Sequence, residues 1–236
     1  MVPIAGDLCS VCGERMVTFS RTEEEVLEDE DSAEPCSLCR RARPAYSRAV
    51  AHGAFEDALR EAIHLLKYDR VLPAAGLLGE KLCAAMTKLA PPGGRKGDRN
   101  EDLWLVVPVP LHISKLRQRG FNQAELIARA ALKHQSIAAD LNTKCLVRHR
   151  ETVPQAGLTR HQRRENIRGA FAVRDAAAVR GRYILLVDDV FTTGTTISEC
   201  ARVLLRAGAA SVSAATAARA LKADRIKMGR ELLEAA

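Results

Sequence analysis

The chain has 236 residues, of which 47% are hydrophobic and 28% charged, and its formal net charge is +7. This length and apolar content suit one sizeable α/β domain with a small appendage, and they exclude global disorder. No stretch of the sequence approaches the roughly 20 continuous apolar residues that span a bilayer. Residues 1–7 have neither the basic region nor the apolar run of a signal peptide. We therefore expect a cytoplasmic protein without a membrane span.

The first predicted unit, residues 1–46, carries two close cysteine pairs, Cys9-x-x-Cys12 and Cys36-x-x-Cys39. Seven cysteines are an odd number, which argues against a complete disulfide framework. Two close pairs supply the four thiolates that tetrahedral Zn²⁺ needs, so we predict a structural zinc site in a zinc-ribbon-like unit. Iron–sulfur ligation or a redox disulfide stays open. The remaining cysteines, which have apolar neighbours and are predicted to be buried, are Cys83, Cys145 and Cys200.

Two segments of the sequence are predicted to be irregular. Between the cysteine pairs, residues 23–34 contain eight carboxylates and no basic residue, which is typical of a solvated loop. Residues 91–98 are too rich in Pro and Gly for regular structure and are interpreted as a linker. This linker lies inside the second predicted unit, residues 47–236, which holds the rest of the chain.

From residue 47 onwards, strand and helix patterns alternate along the chain. The apolar patterns predict strands at residues 48–55, 103–107, 144–148, 170–173, 183–187 and 211–217. They predict helices at residues 56–68, 73–89, 122–132, 196–207 and 221–233. Such alternation favours a mostly parallel sheet that is covered by helices.

The most informative segment begins with the predicted strand at residues 183–187. This apolar strand delivers Asp188 and Asp189 to the carboxyl end of a parallel sheet, where open α/β folds bind ligands. The run Thr192-Thr193-Gly194-Thr195-Thr196 then leads into a helix. Backbone N–H groups at such a turn, together with the helix dipole, form an anion pocket. Gly194 can adopt the positive φ that such a turn needs and lets a phosphate approach the backbone.

An anion pocket beside two carboxylates suits a ligand with a phosphate and a vicinal diol, such as ribose 5-phosphate, because carboxylates accept hydrogen bonds from hydroxyls. A Walker B strand is a poor alternative, since the chain has no G-x-x-x-x-G-K-[ST] motif. A magnesium-binding acidic pair of another doubly wound fold stays open, but it leaves the Thr/Gly run unexplained. A plain surface turn with a polar helix cap also stays open.

This segment resembles the motif with which type I phosphoribosyltransferases bind 5-phosphoribosyl-1-pyrophosphate (PRPP): an apolar strand, two acidic residues and a T-T-G-x-T-like loop. Residues 107–123, residues 155–171 and the two cysteine pairs are similar to the ComF/GntX-like proteins of that group. The resemblance implies an α/β fold with a type I phosphoribosyltransferase-like parallel sheet flanked by helices and a small N-terminal zinc-ribbon-like unit.

The resemblance also implies roles for residues of this motif. Asp188 and Asp189 fall on the catalytic, ribose-binding acids. The implied 5′-phosphate loop consists of Thr192, Thr193, Gly194, Thr195 and Thr196. The implied reaction is displacement of pyrophosphate at ribose C1 by a nitrogen nucleophile, with Mg²⁺ on the pyrophosphate. No residue identifies the acceptor. The family is linked to DNA uptake during bacterial natural transformation, so other competence proteins are candidate partners.

Residues 112–168 carry twelve Lys or Arg against four Asp or Glu, a local net charge of +8 that favours a polyanionic partner. In type I enzymes the loop after the first core strand contacts pyrophosphate, and residues 108–120 occupy that place. Residues 149–168 resemble the mobile loop that closes over PRPP in this fold. A solvated basic loop and an arginine-rich surface helix are the respective alternatives. The predicted pyrophosphate-binding residues are Lys115, Arg119, Arg160, Arg163 and Arg164, with Arg117 as a further basic residue of the first loop.

A second function stays open on the same residues. The protein could handle nucleic acid without catalysis and use PRPP as an effector, or it could keep the loop as a relic. The basic segment is compatible with single-stranded DNA as a partner. However, 1 Trp, 3 Tyr and 5 Phe offer few platforms on which bases could stack, which weighs against a dedicated DNA-binding surface.

Overall fold

The computed structural model describes residues 1, 3–16, 34–89, 103–134, 139–153 and 159–221. The predicted acidic loop lies outside these residues except for Glu34, and the predicted C-terminal helix lies outside them except for Leu221. The predicted linker at residues 91–98 lies wholly outside them. Over the described part of the chain, no helix is both long enough and apolar enough to cross a membrane.

Seven strands and seven helices make up the described fold. The strands are β1 Ala49–Ala54, β2 Trp104–Pro108, β3 Ala139–Leu141, β4 Leu146–Arg148, β5 Phe171–Val173, β6 Tyr183–Phe191 and β7 Ser211–Arg219. The helices are α1 Ser37–Arg41, α2 Asp57–Lys67, α3 Ala74–Met86, α4 Ile113–Arg119, α5 Gln123–Leu132, α6 Arg160–Ile167 and α7 Thr195–Arg206.

The structure confirms the predicted alternation and corrects it in three places. Strand β6 continues to Phe191 rather than ending at residue 187, so both aspartates belong to the strand. The predicted loop at residues 108–120 contains helix α4, which is only seven residues long. The three-residue edge strand β3 was not predicted, because its pattern is too short to stand out. For residues 149–168, the sequence left open a loop that closes over PRPP and an arginine-rich surface helix. In the structure, helix α6 occupies the second half of this span.

Five parallel strands form the central sheet in the order β1-β7-β6-β2-β3, and β4 pairs antiparallel with β5. Residues 184–187 of the central strand β6 are fully buried, as expected for a parallel strand that is covered on both faces. Pro108 pairs with Val187, and Asp188 pairs with Thr216. The ends of β2, β6 and β7 therefore meet at one edge of the sheet.

Two apolar clusters cover the two faces of this sheet. The helical face packs α2, α3 and α5 against the sheet through residues such as Leu66, Leu82 and Ile127. The opposite face packs α7 and the β4–β5 hairpin, and all four cysteines of the predicted zinc site belong to the same cluster. The predicted division of the chain at residue 46 stays a prediction. Cys83, Cys145 and Cys200 are buried, as predicted.

Candidate functional site

The two carboxylates of the candidate site are adjacent residues near the end of β6. Side chains alternate between the faces of a strand. Val187 belongs to the cluster of the helical face and Leu186 to the cluster of the opposite face. Asp189 therefore continues on the helical face, and Asp188 on the opposite face. The backbone N–H of Asp189 donates to Asp188 Oδ1 over 2.9 Å, and the N–H of Val190 donates to Asp189 Oδ1 over 2.9 Å.

A lysine that sequence reasoning missed stands against this pair. Lys67, the last residue of α2, forms an ion pair with Asp189 Oδ2, and the two side chains are only 19% and 6% exposed. Leu59, Ile63 and Leu66 bury the apolar side of the same helix and so fix its position. A basic residue in the last turn of an amphipathic helix is commonplace, because it complements the helix dipole. The sequence therefore carried no signal that distinguished Lys67.

The pKa values of the two aspartates are shifted in opposite directions. Burial by itself would raise the pKa of Asp189, but the Lys67 ammonium and hydrogen bonds hold this pKa below its ordinary value. Burial, followed by the nearby charge of Asp189, raises the pKa of Asp188 well above its ordinary value. Asp189 is thus the carboxylate that stays ionised, and Asp188 is the one that takes up a proton first as the pH falls.

A second cation, also missed from the sequence, belongs to the face of Asp188. Arg148 ends β4, and its guanidinium lies 5.6 Å from the centroid of the Phe171 ring. Burial lowers the pKa of Arg148, while the charge of Asp188 is among those that raise it. Lys67 and Arg148 thus come from opposite faces of the sheet. Only the folding of distant segments onto β6 brings them to the aspartates.

The predicted phosphate loop connects β6 to α7. Gly194 has φ of 72°, in the left-handed region, and it precedes the first residue of the helix. A Cβ atom on Gly194 would stand 2.5 Å from Phe191 Cζ and 3.0 Å from Tyr46 Oη, so only glycine fits there. The Thr193 and Thr195 hydroxyls lie 2.8 Å apart. The first N–H groups of α7 face this loop, which is the arrangement in which helix N-termini hold phosphate.

The predicted basic residues lie in different places. Lys115 and Arg117 are exposed on α4. Arg119 is half-buried and donates to Gln123 Oε1. Its guanidinium carbon lies 6.0 Å from the centroid of the Tyr68 ring, and Tyr68 follows Lys67 in the chain. On α6, Arg163 is half-buried and Arg164 is exposed. The side chain of Arg160 lies outside what the structure describes.

Arg164 shares the wall of one cavity with residues 193–195 of the phosphate loop. The structure thus places one arginine of α6 near the turn between β6 and α7, on the side of the opposite face. Arg119 belongs instead to the neighbourhood of Tyr68, beside the helix that supplies Lys67. The residues predicted as one pyrophosphate-binding set are therefore distributed around the site.

The four predicted metal ligands form one compact cluster. The sulfurs of Cys9, Cys12, Cys36 and Cys39 all lie within 4.8 Å of one another, and all four residues are buried. The sulfurs of Cys12 and Cys36 are 3.9 Å apart, close to the roughly 3.8 Å expected in a tetrahedron with Zn–S bonds of about 2.3 Å. The donor set and spacing therefore fit a four-thiolate metal site.

Backbone amides of this cluster point at one sulfur. The N–H groups of Cys12 and Cys36 lie 3.4 and 3.1 Å from Cys9 Sγ. Burial by itself would raise the pKa of Cys9, but these hydrogen bonds lower it to about 7. Such contacts favour the thiolate of Cys9, which is the form that binds metal. Burial instead raises the pKa of Cys12 to about 11 and also raises that of Cys39.

The cysteine cluster and the phosphate loop share a set of contacts. Arg219, at the end of β7, donates to Glu14 Oε2 over 2.9 Å and to the carbonyl oxygen of Cys12. Its guanidinium carbon lies 4.5 Å from the centroid of the Phe191 ring, and Tyr46 packs edge-on against the same ring. Cys12, Glu14 and Tyr46 of the N-terminal part therefore support, through Arg219 and Phe191, the turn that contains Gly194.

Comparisons with known proteins agree with these features. The family described as "Phosphoribosyl transferase domain" matches residues 121–229. "DNA utilization protein YhgH" of Escherichia coli O157:H7 is 31% identical over 211 residues, which are 87% of each chain. "Competence protein F" of Haemophilus influenzae is 28% identical over 90% of each chain. "Competence protein ComFC" of Bacillus subtilis is 32% identical over 48% of this chain and 43% of that protein.

Among solved structures, one described as "Analysis of an invariant aspartic acid in HPRTs – glutamic acid mutant" is 14% identical. The match covers 62% of this chain and 66% of that chain, with a TM-score of 0.31. A similarity this low carries no argument about function, and the family is shown by the relatives and the matched domain.

Proposed function

We propose that this chain, which belongs to the ComF-like family of phosphoribosyltransferase-fold proteins, binds PRPP and transfers its phosphoribosyl group to a nitrogen acceptor. One observation carries this proposal: β6 brings Asp188 and Asp189 to the same sheet edge as the Gly194 turn that begins α7. A diol-binding pair and a phosphate-binding turn are thus separated by only a few residues of one continuous strand–turn–helix unit.

In the proposed complex, the loop of residues 192–196 holds the 5′-phosphate and the aspartates accept hydrogen bonds from the ribose hydroxyls. Asp189 is the better charged acceptor, because Lys67 keeps it ionised. The same ammonium reduces the repulsion between the carboxylate pair and an incoming pyrophosphate. Mg²⁺, arriving on the pyrophosphate, would supply charge neutralisation for the leaving group.

The proposed reaction is a substitution at ribose C1. The nitrogen lone pair of the acceptor forms the C1–N bond while the C1–O bond breaks, and its electron pair leaves with pyrophosphate. Positive charge develops at C1 in the transition state, and the ionised Asp189 stabilises it electrostatically. A proton that the acceptor nitrogen releases passes to solvent. The four cysteines would hold Zn²⁺ with every ligand position filled, which suits a structural and not a catalytic ion.

The names of the relatives support a role for this protein in DNA uptake, since they include a DNA utilization protein and competence proteins. The same names, with the +8 charge of residues 112–168, favour a second candidate function. In that alternative the protein handles nucleic acid without catalysis, and PRPP is an effector. DNA affinity would then come from phosphate neutralisation and fall steeply with salt, with little dependence on sequence.

Calorimetric titration of the full chain with PRPP, with and without Mg²⁺, tests the proposal. We expect binding that the paired substitution Asp188→Asn and Asp189→Asn weakens by roughly tenfold or more, since each charge-assisted bond contributes about 1.5–3 kcal/mol. Asp175→Asn removes a carboxylate from an exposed loop and serves as the control. Wild-type protein that fails to bind PRPP with Mg²⁺ present would rule out the assignment.

Two further measurements separate the halves of the site and the two candidate functions. Gly194→Val should weaken ribose 5-phosphate as well as PRPP, because a side chain there collides with Phe191 and Tyr46. Release of pyrophosphate from PRPP in the presence of an acceptor supports transfer. PRPP binding that changes salt-dependent DNA affinity, without pyrophosphate release for any acceptor, supports the effector role instead.

A further inference from the structure

An exposed aromatic ring follows the lysine that pairs with Asp189. Tyr68 comes directly after Lys67 at the end of α2, and it is 67% exposed. A ring this open to water adds little to the apolar core, so burial gives no reason for an aromatic residue here. The Arg119 guanidinium carbon lies 6.0 Å from the centroid of this ring, within the range of a cation–π contact. The ring thus joins the end of α2 to the end of α4.

The junction of α4 and α5 keeps Arg119 close to the carboxyl edge of the sheet. The backbone N–H of Val109 donates to the carbonyl oxygen of Val187 over 2.8 Å, one residue before Asp188. Asn122 Nδ2 donates to the carbonyl oxygen of Val109 over 3.1 Å. These two hydrogen bonds attach the residues after α4 to the ends of β2 and β6. Helix α4 therefore ends near the edge that carries both aspartates.

The positive charge of Arg119 has no carboxylate partner in the described part of the chain. Its guanidinium is half-buried and donates to the amide oxygen of Gln123. A guanidinium has N–H donors on each of its nitrogens, so most of them stay available to a ligand. Lys67 differs, because its charge is already paired with Asp189. Arg119 can therefore bind a further anion at this edge.

A second contact joins the same two segments. Arg70 Nη2 donates to the carbonyl oxygen of Gln118 over 2.8 Å. A cation at this end of α4 also complements the helix dipole. Arg70 has φ of 57°, in the left-handed region that residues other than Gly, Asn and Asp seldom adopt. The short turn after α2 thus holds the last turn of α4 through both Tyr68 and Arg70.

We propose that Tyr68 is a positioning residue: its ring holds the Arg119 guanidinium at the carboxyl edge of the sheet, where the guanidinium binds the pyrophosphate group of PRPP. The identity of the ligand rests on the proposed function. The ring restricts the orientations of a long, flexible side chain, which reduces the entropy that this side chain loses on binding. The effect falls on the pyrophosphate end of the ligand and not on the 5′-phosphate, whose loop lies at the start of α7.

Calorimetric titration of the full chain with PRPP and with ribose 5-phosphate, both with Mg²⁺, tests the proposal, because the two ligands differ by the pyrophosphate. Tyr68→Leu should weaken PRPP binding by about two- to fivefold, the factor that an exposed cation–π contact supplies, and leave ribose 5-phosphate binding unchanged. Tyr68→Phe keeps the ring and should bind both ligands as wild type does. Arg119→Gln should weaken PRPP binding by roughly tenfold or more. Arg129→Gln, which removes an exposed arginine of α5, should change neither affinity.

A double variant separates positioning from a general change of structure. If Tyr68 acts through Arg119, adding Tyr68→Leu to Arg119→Gln should weaken PRPP binding no further than Arg119→Gln alone. The thermal midpoint of Tyr68→Leu should match that of wild type, because the ring is exposed. The proposal is overturned if Tyr68→Leu leaves PRPP binding unchanged or weakens both ligands equally. It is also overturned if Tyr68→Leu weakens PRPP binding by the same factor with and without Arg119.

Inorganic pyrophosphate with Mg²⁺ is the probe that keeps this proposal apart from the proposed function. If the chain binds pyrophosphate but not PRPP, and both Tyr68→Leu and Arg119→Gln weaken that binding, the role of Tyr68 is retained and the proposed function is removed. PRPP binding that neither substitution weakens retains the proposed function and removes the role of Tyr68. A chain that binds neither pyrophosphate nor PRPP overturns both.

Discussion

The two faces of the central sheet are covered in different ways. On the helical face, α2, α3 and α5 supply a continuous apolar cluster that includes Leu78 and Ile127. On the opposite face, α7 packs with the cysteine cluster, and buried charged groups cross between distant segments, as Arg219 and Glu14 do. Local amphipathic patterns account for most of the first face, whereas the second face adds a buried long-range ion pair to its own apolar cluster. Substitutions on the second face should therefore affect the phosphate loop. Substitutions on the first face should affect the site mainly through the ion pair of Lys67 with Asp189.

Removing one metal ligand should produce the largest difference between the faces. Structural Zn²⁺ contributes roughly 10–16 kcal/mol of apparent binding free energy in small zinc-finger peptides. We expect Cys36→Ser to lose the metal and to lower amide hydrogen-exchange protection in residues 34–46 and around Phe191. Protection in α3 and α5 should change much less, and PRPP binding by a refolded core should be weakened but not abolished.

Zinc content measured after purification under reducing conditions gives the direct comparison, with about one Zn²⁺ per chain expected for wild type. Cys83→Ser is the matched control, because Cys83 is buried on the helical face and lies outside the metal cluster. It should keep its zinc. A wild-type chain that is fully folded without metal, or equal protection losses on both faces in Cys36→Ser, would contradict the comparison.

Breaking the buried ion pair of the opposite face should have the next largest effect. The Arg219 and Glu14 side chains are 3% and 4% exposed. Arg219→Met leaves the Glu14 carboxylate buried without this partner, which costs roughly 3–5 kcal/mol of unfolding free energy. Replacing both residues with Met should recover much of the loss, since no uncompensated charge remains. Denaturant unfolding of the single and double variants measures this, and a double variant no more stable than the single one would count against it.

The same contrast explains how much could be predicted from sequence. Helices α2, α3 and α5 and strands β6 and β7 follow from apolar periodicity, because that periodicity is local. The Asp188–Thr196 segment was identified because its residues are adjacent in the chain. Arg219 was not, since its partners Cys12 and Glu14 lie more than 200 residues away in the sequence. Lys67 could not be predicted for the same reason, because the pattern of a helix does not show which distant residue its last side chain contacts.

Lys67 gives the helical face its own test. Lys67→Met should leave Asp189 buried without its ammonium and cost roughly 1–3 kcal/mol of stability near neutral pH. Asp189 has a lowered pKa in the fold, so the stability from this pair is present above the pKa of an unfolded Asp and is lost as the pH falls. The gap between wild type and variant should therefore narrow in acid.

Two controls accompany this variant. Lys67→Arg keeps the positive charge and should retain most of the stability. PRPP titrations at low and high Mg²⁺ should show that Lys67→Met depends more strongly on the metal than wild type does, because the resident cation is gone. Equal Mg²⁺ dependence in the two proteins would show that Lys67 does not offset the charge of the ligand. Zinc content should stay at the wild-type value, which separates this face from the other.

Asp188 should give the smallest effect and the opposite sign. Its pKa is raised in the fold, chiefly by burial and then by Asp189, so the folded chain holds this proton more tightly than the unfolded chain does. The ionised form therefore costs stability once the pH exceeds the pKa of an unfolded Asp, and the cost grows until the pH passes the raised folded value. Asp188→Asn removes that cost and should stabilise the protein near neutral pH by the roughly 0.5–2 kcal/mol of a single favourable substitution. Below about pH 4, where the unfolded aspartate is also protonated, the gain should vanish.

Thermal unfolding of both proteins across this range measures the gain, and PRPP titration should show weaker binding in the more stable variant. A variant that is less stable than wild type at neutral pH would mean that the ionised carboxylate is satisfied by groups such as Arg148, and that both faces neutralise the pair equally.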